Sequence, residues 1–159
     1  MSLIKPDVVR DSVKVPEIEL KKTGKIVELE GKKKIMDAND AYNLFLDIWN
    51  KDLITAQEET YVIFFNNNNK PIGYYHHSKG GITATVQDIQ VLSAMAVKSL
   101  AKGVIVAHNH PSGSLKPSNE DISTSRKIKE AFKLFNIALL DAIIITEDGF
   151  YSLQQEGLL

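Results

Sequence analysis

Two histidines and one aspartate are the residues of this sequence whose types and spacing could do chemistry. His108 and His110 end an apolar stretch that begins at Val104, and a loop rich in proline and glycine leads on to Asp121. Because alternate side chains of a β-strand point to the same side, the two imidazole rings can converge on one point. Two imidazoles and one carboxylate are the protein ligands of a typical catalytic zinc site, whose fourth position is left to water. The pattern therefore favours a metal site that can activate water.

Each of these residues also has an ordinary structural interpretation. A surface pair of histidines is usually inert, and Asp121 with Ser118 matches the capping box that opens a helix. The combination favours the metal site, because two of the four histidines end the best candidate for a buried strand. The other two, His76 and His77, are adjacent on a predicted strand. They therefore face opposite sides and are interpreted as structural or surface residues.

The composition is that of one globular domain. The chain has 159 residues, 43% of them hydrophobic and 25% charged. A net charge of −1 argues against tight direct binding of nucleic acid, because phosphate contacts require a basic surplus. Cysteine is absent, so a bound zinc ion must use nitrogen and oxygen ligands. No apolar run approaches the roughly 18 residues of a membrane span. The N-terminus lacks the apolar core of a signal peptide, and we expect a cytoplasmic protein without a membrane partner.

The hydrophobic pattern mixes helices with strands. Helices are expected after Asp37, after the capping-box pattern Thr85-x-x-Asp88, and after Ser118. Strands are expected at residues 60–65, from Pro71 onward, and at residues 104–107, 137–146 and 150–153. Gly103 is expected to end the second helix. Short turns between neighbouring strands favour an α+β fold, a single domain with a central mixed β-sheet flanked by helices. We expect residues 1–35 to form a tail with weak strands and residues 36–159 to form the domain.

Helical spacing predicts which side chains face the core. The predicted faces are Tyr42, Phe45, Leu46 and Trp49 in the first helix, Val91, Leu92, Met95, Ala96, Ser99 and Leu100 in the second, and Ile122, Ser125, Ile128, Phe132 and Phe135 in the third. Trp49, Tyr74 and Tyr75 could also form a base-stacking surface. We interpret them as core or interface packing, which is the commoner use of such side chains.

The stretch HNHPSGSLKPSNED, from His108 to Asp121, resembles a known metal-binding signature. His-x-His-Pro followed by Ser118 and Asp121 is similar to the JAMM motif of JAB/MPN-type proteins, and the longer string is similar to their RadC-type branch. The similarity extends from about Gln57 to the C-terminus, which is about two thirds of the chain, and includes NNNNKPIG and LLDAIIITEDGFYS. The resemblance implies a JAB/MPN, cytidine-deaminase-like architecture with one zinc ion bound by His108, His110 and Asp121.

The resemblance also implies which residues carry an activity. JAMM-type proteins use a glutamate at the start of an upstream strand as the base, and alignment of the NNNNKPIG turn puts Glu58 at that position. Strand alternation sets Glu58 in phase with Thr60, whereas Glu59, the alternative base, would point to the other face. Ser118 is similar to the family serine that donates a hydrogen bond to the oxyanion of the tetrahedral intermediate.

We therefore expect a zinc-dependent metallohydrolase of the RadC/JAB type that cleaves a peptide, isopeptide or other amide bond through a zinc-bound water. The sequence does not name the substrate, and it leaves homo-oligomerisation open. The alternative is a non-enzymatic RadC-like module, associated with DNA repair or with protein interactions, whose metal is structural. Two departures from the family bear on this choice. The first 50 residues do not resemble the helix-hairpin-helix region that RadC-type proteins often carry, and Ala142 replaces the histidine of the family's Leu-Asp-His.

Overall fold

One five-stranded sheet organises the part of the chain that the structure describes, residues 34–80 and 87–159 of a computed structural model. The strands are β1 (Glu59–Phe65), β2 (Pro71–Lys79), β3 (Gly103–Asn109), β4 (Ala138–Thr146) and β5 (Gly149–Ser152). The helices are α1 (Ala38–Ile48), α2 (Ile89–Lys98) and α3 (Asn119–Lys133), with a 3₁₀ turn at Lys51–Leu53 after α1. The predicted N-terminal tail and weak strands before Lys34 lie outside the described residues.

The strand order across the sheet is β2-β1-β3-β4-β5. Strands β3 and β4 pair in parallel, and the other three neighbouring pairs are antiparallel. Parallel neighbours need a long crossover connection, which α3 supplies, whereas tight turns join β1 to β2 and β4 to β5. The mixed sheet with helices packed on it confirms the predicted α+β fold.

Alternation along the strands divides the core between the two faces of the sheet. The side chains that pack with α1 are Tyr61, Ile63, Phe65, Ile105, Ala107, Ile143 and Ile145. Those that pack with α2 and α3 are Val62, Phe64, Val104, Val106 and Leu139. His108 continues the phase of Val104 and Val106, so its ring lies on the face of α2 and α3. Every residue of β1 and β3 is buried, which gives the residues at their ends a close-packed support.

Both ends of α2 differ from the prediction. The N-cap is Asp88, whose carboxylate accepts hydrogen bonds from two N–H groups of the first turn, and Thr85 lies outside the described residues. At the other end, the helix stops at Lys98, before the predicted end at Gly103, and Leu100 takes the left-handed conformation (φ 57°). Gly103 instead opens β3, where a Cβ atom would lie 2.7 Å from the Leu140 side chain. Gly103 therefore lies in the sheet against Leu140 and does not end the helix.

The predicted helix faces are confirmed at most positions, and the exceptions are Val91 within α2 and one residue beyond the end of each of α2 and α3. The confirmed core positions include Phe45, Trp49, Leu92, Ala96, Ser125, Ile128 and Phe132. Leu100 and Phe135 are 74% and 51% exposed, because both follow the last helical turn and the helical period no longer places them. Val91 is also partly exposed, on the solvent side of α2. Within residues 34–80 and 87–159, no helix has the length and apolar character needed to cross a bilayer.

A buried carboxylate holds β4 against β5 and the segment that follows. Asp141 accepts hydrogen bonds from the Ser152 hydroxyl at 2.6 Å and from the N–H groups of Ala142 at 2.7 Å and Gln154 at 3.1 Å. Burial raises the pKa of the Asp141 carboxyl, and the three hydrogen bonds offset that effect only in part. The ionised carboxylate is therefore less favourable in the folded protein than in the unfolded chain.

Asp141→Ala should lower the free energy of unfolding by about 3 kcal/mol, because three donors lose their acceptor. Asp141→Asn should change the free energy of unfolding by less than about 1 kcal/mol, since the amide keeps the shape and one acceptor oxygen.

The same residue should make the stability depend on pH. Because the folded-state pKa of Asp141 is raised, the wild type loses part of its stability as the pH rises through that pKa, and the asparagine variant lacks this loss. Urea unfolding at several pH values measures both effects. An alanine variant as stable as the wild type would contradict the assigned role.

Candidate metal centre

The candidate metal centre forms where β3 ends and α3 begins. His108 is the penultimate residue of β3 and His110 follows the strand directly. The N–H of His110 donates to the carbonyl of Ile145 at 3.0 Å, so the chain keeps the direction of the strand for one more residue. The loop of residues 111–117 then returns the chain, and Asp121 lies in the first turn of α3. The structure brings together the three predicted metal ligands.

The distances between the three side chains fit a single metal ion. The Nε2 atoms of His108 and His110 are 3.1 Å apart. Carboxylate oxygens of Asp121 lie 3.2 Å from Nε2 of His108 and 3.6 Å from Nε2 of His110. Ligand atoms at about 2.0–2.1 Å from a tetrahedral zinc ion are roughly 3.3 Å from one another. His108 is buried, whereas His110 and Asp121 are partly exposed, so a further ligand can reach the site from solvent.

Hydrogen bonds around the site orient two of the three ligands. Nδ1 of His110 lies 2.7 Å from the carbonyl oxygen of Ser114. A proton on Nδ1 donates to that oxygen and leaves the lone pair of Nε2 for a metal ion. Oδ2 of Asp121 accepts from the N–H of Ser118 at 2.7 Å, and Oγ of Ser118 accepts from the N–H of Asp121 at 3.1 Å. The predicted capping box is therefore present, and it holds the carboxylate of a candidate ligand.

The site places a carboxylate against groups that can carry positive charge. Burial raises the pKa of Asp121, but hydrogen bonds with His108 and His110 outweigh it and hold that pKa well below its usual range. The hydrogen bond with Asp121 raises the pKa of His110 against the opposing effect of burial, and the charge of Glu58 adds to the rise. A metal ion needs the neutral imidazole, so it must displace the proton that this carboxylate attracts.

Glu58 lies on the same face of the sheet as the two histidines. Thr60 is opposite His108 where the pairing of β1 with β3 ends, and Glu58, two residues before Thr60, is in phase with it. Directly opposite residues of an antiparallel pair share a face. Glu58 is half-buried, and its backbone carbonyl accepts a hydrogen bond from the N–H of Gly80 at 2.9 Å. The effect of Glu58 on the pKa of His110 is consistent with this placement.

Glu59 faces the opposite side of the sheet, toward α1. It is 1% exposed, and its Oε1 lies 3.3 Å from Nε2 of His76. The His76 ring stacks on Tyr61 with 4.3 Å between the ring centroids. The other oxygen, Oε2, is buried and accepts no hydrogen bond within the described residues. His76 therefore contacts a buried acid on the far side of the sheet from the metal centre.

Sequence reasoning missed two polar contacts beside the site. Nε2 of His77 accepts a hydrogen bond from the N–H of Asp88 at 3.0 Å, which joins β2 to the start of α2. Asn109 accepts from the N–H of Glu59, and its amide group donates to two carbonyl oxygens of the segment before β1. The sequence does carry a sign of the role of Asn109, because this polar residue lies in a predicted buried strand. A polar side chain in a buried strand must have hydrogen-bond partners.

This arrangement defines the class of the protein: a JAB-type domain with a His-x-His pair at the end of a central strand and an aspartate in the next helix. The model of the RadC-like JAB domain family matches residues 35–158. The chain belongs to this family, as the resemblance of the HNHPSG segment predicts.

Two of three curated relatives align with most of this chain, and all three are longer proteins. A UPF0758 protein of Flavobacterium johnsoniae is 36% identical over 144 residues, which cover 91% of this chain and 62% of that protein. A UPF0758 protein of Porphyromonas gingivalis is 35% identical over 133 residues, which cover 83% of this chain and 57% of that protein. A UPF0758 protein of Aquifex aeolicus is 45% identical over 64 residues, which cover 40% of this chain and 28% of that protein. The aligned part of the chain thus spans less than two thirds of these relatives.

The geometry predicts that the purified chain binds about one zinc ion through the His108, His110 and Asp121 side chains. Replacing any of the three with alanine should weaken zinc binding by more than about 100-fold. Loss of a residue that only hydrogen-bonds to a ligand typically weakens binding by roughly 10–100-fold, and loss of a ligand itself should cost more. His76→Gln is the matched control, because its ring lies on the other face of the sheet and glutamine can still donate to Glu59. Isothermal titration with Zn²⁺ and elemental analysis measure the effect. Equal loss of zinc in the control would contradict this assignment.

Proposed function

We propose that this chain is a zinc-dependent hydrolase that cleaves an amide bond. The observation that carries the proposal is the convergence of His108, His110 and Asp121 on one point, with Glu58 on the same face of the sheet beside His110. Nitrogen and oxygen ligands at these spacings suit zinc, and three protein ligands leave a position for a reacting group. Structural zinc sites are usually closed by four protein ligands, whereas this group has three among residues 34–80 and 87–159 and is partly exposed to solvent.

The position of each side chain determines the role that we assign to it in the reaction. A zinc ion held by the three ligands would lower the pKa of a coordinated water and polarise a carbonyl group. Glu58 takes the proton of the attacking water on its carboxylate and delivers it to the leaving nitrogen. That transfer needs a base beside the metal ligands and outside the coordination group. Glu58 meets both conditions, because its charge acts on the His110 ring and its carboxylate is not part of the group formed by His108, His110 and Asp121.

Ser118 supports the proposal through the direction of its hydrogen bonds. Its oxygen accepts from the N–H of Asp121, so the hydroxyl proton is not used in the capping box. That proton can donate to the oxyanion that develops when the carbonyl is attacked, next to a ligand carboxylate that the same cap holds in place. Ser118 is exposed, as a residue that contacts an incoming substrate must be.

The proposal predicts different results for the two adjacent glutamates at the start of β1. Glu58→Gln should keep zinc and melting temperature but lose about 10²–10⁴-fold in turnover, because general-base assistance is typically worth that much. Glu59→Gln, the matched control on the other face, should keep most turnover and lose stability instead, since the buried carboxylate contacts His76. Peptide and isopeptide-linked conjugates form the substrate panel, with thermal melting as the second measurement.

Two outcomes would contradict this account in different ways. Full activity of Glu58→Gln alongside an inactive Glu59→Gln would mean that the strand phase is wrong by one residue. Tight zinc binding without cleavage of any conjugate in the panel would favour a non-enzymatic interaction module, whose metal is structural, over a hydrolase.

A further inference from the structure

We propose that Asn109 is a positioning residue for Glu58, acting through the backbone on both sides of that glutamate. This inference rests on the proposed function, in which Glu58 is the base. Asn109 contacts no reacting atom, because it lies between His108 and His110 in the chain and therefore points to the opposite face of the sheet. Its role is to hold the segment that carries Glu58 against β3.

Three short hydrogen bonds make this connection. Oδ1 of Asn109 accepts from the N–H of Glu59 at 2.7 Å. Its Nδ2 donates to the carbonyl of Ile54 at 2.7 Å and to the carbonyl of Gln57 at 2.9 Å. Gln57 and Glu59 are the neighbours of Glu58, so one side chain fixes the peptide groups before and after the base. The Glu58 carbonyl is held separately by the N–H of Gly80.

A side chain is needed here because the backbone pairing stops. The pairing of β1 with β3 ends at Thr60 and His108. Without further ladder bonds, the segment from Ile54 to Glu58 would have no direct attachment to the strand that carries the two histidines. The Asn109 amide replaces the missing ladder, and it does so in a fully buried position where an unmade hydrogen bond is costly.

The chemistry of the three partners selects asparagine. One backbone N–H and two carbonyls require one acceptor and two donors, which the carboxamide of asparagine provides in a single plane. Aspartate offers acceptors and would face two carbonyl oxygens, while serine is too short to span all three groups. The distance between Glu58 and the candidate metal ligands therefore depends on Asn109, which is neither the proposed base nor a ligand.

The test uses the full chain loaded with Co²⁺ alone, because the visible absorption of Co²⁺ responds to ionisation next to the ion. Wild type, Glu58→Gln, Asn109→Ser and the double variant are compared across a pH series. Asp141→Ala is the matched control, since it removes hydrogen bonds from another buried side chain whose partners lie on β4, β5 and the segment after β5. If Asn109→Ser does not fold, Asn109→Gln keeps the uncharged amide but displaces its acceptor and donors by one methylene group from their three partners.

All variants should bind Co²⁺ in the wild-type ratio, because the three ligands are unchanged. Asn109→Ser should shift the pH profile of the absorption in the same direction as Glu58→Gln and by most of that amount, and the double variant should shift no further than Glu58→Gln. Asp141→Ala should keep the wild-type profile despite its lower stability. Hydrogen exchange of the Glu59 amide should become about tenfold faster in Asn109→Ser, because the bond to Oδ1 is lost.

The possible failures are distinguishable. A wild-type profile in the Asn109 variant, together with a shifted profile in Glu58→Gln, would overturn the positioning role and leave the proposed function intact. An unshifted profile in Glu58→Gln would contradict the role of Glu58 itself, and the positioning role would fall with it. Loss of Co²⁺ from the Asn109 variant would show that the residue supports the metal ligands and not the base.

Discussion

The alternation of side chains at the end of β3 is the constraint on which the site depends. His108 and His110 share one face of the sheet, and Asn109 between them takes the other. The same three residues thus present two candidate metal ligands on the side of α2 and α3 and a hydrogen-bonding amide on the side of α1. A register slip of one residue would exchange these faces, so the burial of β3 between β1 and β4 preserves the arrangement.

The first turn of α3 couples the metal centre to the stability of the helix. Asp121 is at once the acidic partner in the capping box and the carboxylate facing His108 and His110. A negative charge at a helix N-terminus is favoured by the helix dipole and by unpaired backbone N–H groups. The carboxylate is therefore held in position whether or not a metal ion is present. Glu58 precedes β1 and acts on His110 through its charge, so the candidate site draws on three separate segments of the sequence.

Local patterns in the sequence were sufficient to predict most of the fold and the residues that converge at the end of β3, His108, His110 and Asp121. The Asn-rich hairpin, the buried β3 strand and the Ser118–Asp121 cap each depend on neighbouring residues, and each is present. The end of α2 could not be predicted, because Gly103 lies in β3 against Leu140, and Leu100 takes the left-handed conformation that residues other than glycine rarely adopt. The buried Glu59–His76 pair and the Asn109 amide depend on strand register and not on periodicity. Sequence spacing alone does not contain that information.

X-ray absorption at the zinc edge of the zinc-loaded protein shows most directly whether His108 and His110 bind the ion. We expect nitrogen and oxygen scatterers at about 2.0–2.1 Å with the outer-shell pattern of two imidazole rings. This pattern should fall to one ring in His108→Ala prepared under the same conditions. A spectrum with no imidazole contribution, or one unchanged by loss of His108, would contradict the metal centre described for β3 and α3.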